Sequence, residues 1–153
     1  MMRVVNGIAE LKTLVGQEVG CSDWQTVSQD QIDRFADVSG DHQWIHIDVE
    51  RARSESPYHT TIAHGFLTVA LLSKMMENAI DVQGAGKMRI NYGFNRLRFT
   101  GAVLAGSRVR GHFAVNSVKD FEGGVEVAWG VTVEVEGQSK PAMVAEWLVR
   151  IYY

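Results

Sequence analysis

Asp41 and His46 stand five positions apart in the stretch Ser39-Gly40-Asp41-His42-Gln43-Trp44-Ile45-His46-Ile47-Asp48. A carboxylate and an imidazole this close, just after a glycine able to end a helix, can hang from one short loop and pass protons at neutral pH. Adding water to a polarised double bond, or removing it, needs such a pair. Two plainer readings compete. Asp after Gly is a common turn residue that bonds its own backbone, and His46 between Ile45 and Ile47 could be a hydrogen-bonded core histidine. A metal site is a further reading, because His42 and His46 would share one face of a helix, with Asp41 or Asp48 as third ligand. Gly40, Trp44 and the β-branched residues argue against a stable helix there, and the His-Glu-x-x-His pattern of zinc hydrolases is absent. No metal ligand set and no cofactor are therefore assigned.

The elements that must carry this pair can be read outward from it. Ser28-Gln29-Asp30-Gln31 is a capping box, followed by Ile32, Phe35, Ala36 and Val38 at helical spacing, which predicts a helix from about 29 to 38 delivering the Asp41 loop. A short amphipathic helix is expected over 7–15, ending at Gly16, and a strand over 18–27. After the loop Ser54-Glu55-Ser56-Pro57-Tyr58, a run from His64-Gly65-Phe66 to Ile80 is apolar on nearly every side, so it reads as a long helix enclosed by the rest of the chain. Everything after Gly84-Ala85-Gly86 reads as strands. Val125, Val127, Trp129, Val131, Val133 and Val135 alternate with polar positions, and Met143, Ala145, Trp147, Val149 and Ile151 repeat the pattern. Phe121-Glu122-Gly123-Gly124 and Glu136-Gly137-Gln138-Ser139 supply turns, and two further strands are expected over 87–99 and 107–118. The pattern is α+β: a curved antiparallel sheet wrapped around a long central helix.

The segment from Phe35 to Asp48 resembles the hydratase-2 motif of MaoC-like dehydratases and (R)-specific enoyl-CoA hydratases, which runs aromatic, spacer, Ser/Thr-Gly-Asp-x-Asn-Pro-aliphatic-His-x-Asp. The match holds at Phe35, Ser39, Gly40, Asp41, Ile45, His46 and Asp48, while Gln43-Trp44 replaces Asn-Pro, as in the branch similar to nodulation protein N. The His64-Gly65-Phe66 helix start also matches. Arg98-Phe99-Thr100-Gly101-Ala102-Val103-Leu104-Ala105-Gly106-Ser107 resembles a second family signature, with Ala102 in place of Pro. The resemblance implies one MaoC-like hot-dog domain over 1–153 and reversible syn addition of water to trans-2-enoyl-CoA, giving (R)-3-hydroxyacyl-CoA. An acyl-CoA thioesterase and a non-catalytic acyl-CoA-binding module on the same fold are the alternatives.

Hydration of a conjugated thioester develops negative charge on the carbonyl oxygen, so the site needs a donor as well as a proton-handling pair. Gly65 fits: its N–H lies in a first helical turn without an intrahelical partner, at the positive end of the dipole, and no side chain bars approach. Gly65 could equally mark close packing against a strand, and it is the resemblance that favours the donor role. Asp41, His46 and Gly65 are thus the candidate catalytic residues. Gln43, Trp44, His64 and Asn91 are the candidate substrate contacts, with helix capping the competing reading for His64 and an outward-facing strand position for Asn91. Lys87, Arg89, Arg96, Arg98, Arg108 and Arg110 are the cations available to CoA phosphates, each also readable as a solvated surface charge.

Composition bounds the rest. A net charge of −3 leaves no footprint for nucleic acid or an anionic membrane surface. No long apolar span or leader-like h-region occurs, and the lone Cys21 suits a reducing compartment, so a cytoplasmic protein is expected. A sheet wrapped around one helix leaves strand edges to be covered, which predicts a homodimer or higher even oligomer.

Overall fold

The structure is a computed structural model that describes residues 1–153. Its elements in order are β1 (Arg3–Asn6), α1 (Gly7–Thr13), β2 (Glu18–Cys21), β3 (Gln25–Thr26), α2 (Gln29–Ser39), α3 (Trp44–Ile47), α4 (Val49–Glu55), α5 (Gly65–Ala70), α6 (Leu72–Ala79), β4 (Ile80–Gln83), β5 (Met88–Phe99), β6 (Arg108–Phe121), β7 (Gly124–Val135) and β8 (Met143–Tyr152). The main sheet runs β2-β6-β7-β8-β5, all antiparallel, with β3 also on β6. Alternation builds its inner face: Val125, Val127, Trp129, Val131, Val133 and Val135 of β7 are all buried. These side chains join Leu72, Met75, Met76 and Ala79 of α6 in a core cluster of 30 residues. No helix is long and apolar enough to cross a membrane.

Two strands were not visible in the sequence pattern. β1 and β4 form a separate parallel pair, Arg3 opposite Ile80 and Asn6 opposite Gln83, with too few residues for a readable period. The expected strand over 18–27 is split into β2 and β3, and β2 carries a bulge between Glu18 and Gly20.

The central helix is not enclosed on all sides as expected. α5 and α6 meet at Leu71, which keeps αR geometry and accepts from Met75 N–H, so residues 65–79 act as one rod. Its exposed stripe is Phe66, Ala70, Ser73, Lys74, Glu77 and Asn78. The sheet covers one side only, and the polar residues at positions 73, 74, 77 and 78 let the other side meet water.

α2 delivers the Asp41 loop as the capping sequence implies. Ser28 Oγ accepts from Gln31 N–H at 3.2 Å, Ile32 and Ala36 are buried, and Gly40 ends the helix at φ 78°, a left-handed conformation suited to glycine. Val38, expected on the inner face, is 87% exposed because it lies a third of a turn off the Ile32–Ala36 line. Ser28→Ala is expected to lower stability by about 1 kcal/mol, read as a lower urea midpoint at unchanged slope.

β5 closes one edge of the sheet. It pairs with β8 only, and most of its 12 residues are exposed, including Met88, Ile90, Tyr92 and Phe99.

Candidate functional site

Beyond Gly40 the chain makes an Asx turn and then one helical turn. Asp41 N–H donates to Ser39 Oγ at 3.2 Å, and Asp41 Oδ1 accepts from Gln43 N–H at 3.3 Å. α3 is only four residues long, so the segment expected as pure loop contains one turn, held from outside rather than by its own propensity. Gln29 Nε2 donates to the His46 carbonyl at 2.8 Å, and Gln29 Oε1 accepts from the buried Thr61 hydroxyl. Ile62 N–H donates to the Ile45 carbonyl at 3.0 Å, and Ala63 N–H donates to Val103. Residues 45–46, 61–63 and 103–105 are thereby zipped side by side.

This brace sets the chemistry of His46, which is 7% exposed. Its Nδ1 lies 2.7 Å from the Ile62 carbonyl, an acceptor, so Nδ1 carries the proton and Nε2 keeps a lone pair. Burial holds the imidazole below its ordinary value. The His64 ring adds to that effect, against the opposing pull of the Ile62 bond and the Asp41 carboxylate. A cleft of about 380 Å³ opens beside it, lined by His46, Tyr58, Ile62, Ala63, Gly65, Thr68, Phe99 to Val103 and Ala142.

Gly65 begins α5 at this cleft. A Cβ there would stand 2.8 Å from Cζ of Phe99, so the phenyl ring already lies against the glycine. Close packing and a first-turn N–H thus coexist at this position.

His64 does not cap the helix that it precedes. At 2% exposure it stacks on His46 with centroids 3.8 Å apart and planes 23° apart, and it touches Phe35 on another side. Its Nε2–H donates to the Asp41 carbonyl at 2.9 Å, while its buried Nδ1 has no partner.

Ligand atoms of Asp41, His46 and His64 lie within 4.8 Å of one another. The two imidazoles are stacked, so their in-plane lone pairs run side by side instead of converging on one tetrahedral ion. The pairing of His42 with His46 considered from the sequence does not form either. His42 bonds Asp37 at 2.9 Å, and Asp48 caps α4 through Arg51 N–H.

Asp41, His46, Gly65 and His64 therefore come together, and the remaining candidates do not. Gln43 lends only backbone to the turn, and the Trp44 ring lies under the Arg51 guanidinium at 4.3 Å. Asn91 lines a separate cavity of about 200 Å³ between α6 and strands β5 and β8, with Ser73, Met76, Trp129 and Trp147. Sequence reasoning missed Gln29, Thr61 and Tyr58, whose loop or capping positions carried no signal of a site. Phe99 to Val103, noted only as a second signature, form a wall of the cleft.

A roomier groove of about 480 Å³ runs over the outer face of the sheet past Glu18, His112 and Glu146. Apart from Arg96, its charged groups are engaged with neighbouring side chains. His112 sits between Glu18 at 3.0 Å and Glu134 at 2.7 Å, and Glu146 accepts from Asn95 and Asn116. Burial alone would lower the His112 value, but the two carboxylate bonds outweigh it and raise it.

Residues 10–137 match the family described as the MaoC like domain. The chain is 48% identical over 150 residues to 3-hydroxyacyl-thioester dehydratase Z of Mycobacterium tuberculosis, covering 97% of this chain and 98% of that protein. It is 45% identical over 142 residues to nodulation protein N of Rhizobium meliloti, covering 92% and 88%. Among solved structures, an R-hydratase of Pseudomonas aeruginosa superposes with a TM-score of 0.67 at 26% identity, covering 90% of this chain and 81% of that one.

Proposed function

The chain belongs to the MaoC-like dehydratase family and has its hot-dog fold, and from that premise we propose that it is an (R)-specific enoyl-CoA hydratase acting reversibly on 3-hydroxyacyl thioesters. The observation that carries the reading is the pairing of Asp41 with a His46 whose Nδ1–H is tied to a backbone carbonyl, which leaves Nε2 free as a base. One water bonded to both groups spans about 4.6 Å between acceptors, given hydrogen bonds of about 2.8 Å at a tetrahedral angle, a span compatible with ligand atoms of the two residues lying within 4.8 Å of each other.

In the hydration direction, His46 Nε2 takes a proton as the water oxygen bonds to C3 of the enoyl thioester. The imidazolium so formed is stabilised by the Asp41 carboxylate. Electron density moves through C2 to the carbonyl oxygen, which the Gly65 N–H receives at the start of α5. The pair then returns a proton to C2 from the same side, giving syn addition. Dehydration is the reverse. Of the cations considered for CoA phosphates, Arg108 and Arg110 are committed to Glu136 and Glu134, whereas Arg89, Arg96 and Arg98 on β5 have no carboxylate partner. Lys87, just before β5, is also without a carboxylate partner, so four cations are free to meet a diphosphate.

The test is incubation with a chain-length series of trans-2-enoyl-CoAs, following loss of conjugated thioester absorbance, with product configuration read by a stereospecific 3-hydroxyacyl-CoA dehydrogenase. An (R) product is expected. Release of free CoA would point to a thioesterase, and binding without turnover to a non-catalytic acyl-CoA module.

Two further expectations follow. Because His46 must be neutral to act and its value is lowered, kcat/KM should stay flat through neutral pH and fall only below about 6.5, the ordinary histidine value. A half-fall above that value would contradict the assignment. The open β5 edge supports a homodimer or higher even oligomer. Light scattering should give an even number of chains, and a monodisperse monomer with full activity would refute it.

A further inference from the structure

His64 is buried and does not line the cleft, yet it touches both members of the pair assigned above. Its ring covers His46 at 3.8 Å, and its Nε2–H holds the Asp41 carbonyl at 2.9 Å. Asp41 itself is exposed and sits in a turn whose internal bonds, at 3.2 and 3.3 Å, are long. The His42–Asp37 bond anchors the turn to α2, but of the side chains around the turn only His64 ties the Asp41 backbone to the ring of a His46 braced by Gln29 and Ile62.

The unpaired Nδ1 shows what the position demands. A buried polar atom with no partner is unfavourable and calls for a reason. Donation to the carbonyl requires the proton on Nε2, which leaves Nδ1 bare. An amide side chain could donate to the same carbonyl, but its small plane does not supply an aromatic ring face to His46. An aromatic hydrocarbon offers the face but no donor. Only a ring with an N–H at its far edge supplies both contacts, and the imidazole does so at the expense of one idle nitrogen.

We propose that His64 is a positioning residue: it locks the Asp41 backbone onto the face of His46 so that carboxylate and imidazole stay one water apart. This rests on the reading of Asp41 and His46 as the reacting pair. The lock acts on the transition state more than on substrate binding, because His64 does not line the cleft. Its loss therefore appears in kcat. Misplacement of a reacting group by about 1 Å costs on the order of a hundredfold.

Two variants divide the contacts. His64→Phe keeps the stack and removes the donor. His64→Gln places an amide N–H near the position of Nε2 and removes the stack. We expect His64→Phe to lower kcat by roughly 10- to 100-fold with KM within about twofold, and His64→Gln to recover most of that loss. Nitrogen NMR of the wild-type protein should show the His64 proton on Nε2 with Nδ1 bare. Wild-type kcat in a folded His64→Phe, a His64→Gln as slow as His64→Phe, or a proton on Nδ1 would each overturn the lock. Should His64→Phe fail to fold, His64→Gln and the spectra decide: near-normal kcat with an Nε2 proton supports the lock, and a hundredfold loss overturns it. If wild-type protein hydrates no enoyl-CoA, the functional reading falls, while the spectra still judge the contact between His64 and Asp41.

Discussion

Asp41→Asn and His46→Gln are each expected to slow single-turnover hydration by about 10²- to 10⁴-fold with substrate affinity little changed, and the double variant to be scarcely slower than either. The structure makes the first substitution clean. Asn retains an Oδ1 that can accept the Gln43 N–H, so the turn survives while the charge beside His46 is lost. If Asp41 were only a turn residue, the rate would stay near normal and at most about 1 kcal/mol of stability would be lost. His46→Gln removes the base and its tie to Ile62 together. Non-additivity is the sharper readout, because two groups that hold one water cannot each be lost independently. Additive losses, near-normal rates or an (S) product would sink the proposal.

Gly65→Val is expected to lower turnover about a hundredfold or more, the usual effect of losing an oxyanion donor, because a side chain there blocks the approach of the thioester oxygen to the N–H. Contact with Phe99 confounds this substitution, since an added Cβ would lie 2.8 to 3.0 Å from three atoms of that ring. Phe99 is 46% exposed, so its ring has room to swing aside and the fold should tolerate the change. A second substitution separates the two effects. If packing alone is at fault, Phe99→Ala in the Gly65→Val background restores both melting temperature and rate. If the N–H is the donor, stability returns and turnover does not.

The legible parts of this chain were those with a period or a cap. β7 and β8 follow from alternation, and α2 follows from Ser28, Gln31 and Gly40. Asp41 and His46 stand together in one motif, and Gly65 is marked by its place at the start of the central helix. Where the sequence reading stopped, the determining contacts were non-local. Gln29 reaches His46 across 17 positions, and His64 reaches Asp41 across 23, with no local pattern to announce either. The enclosed-helix expectation erred because hydrophobic content was weighed over position. The polar residues 73, 74, 77 and 78 fall on one stripe, and one stripe suffices to open a helix to water.

The strand order also governs how the chain can fold while it is being made. β5 has a single partner, β8, which is the last strand in the sequence, and the register joins Phe99 to Met143. Synthesis at about 5–20 residues per second separates those two residues by roughly 2–9 s. During that interval β6 and β7 can zip as a hairpin, but β5 waits with both edges bare. Nascent chains stalled after β7 should therefore be captured by chaperones or be protease-sensitive within 88–99, and become protected once β8 has emerged.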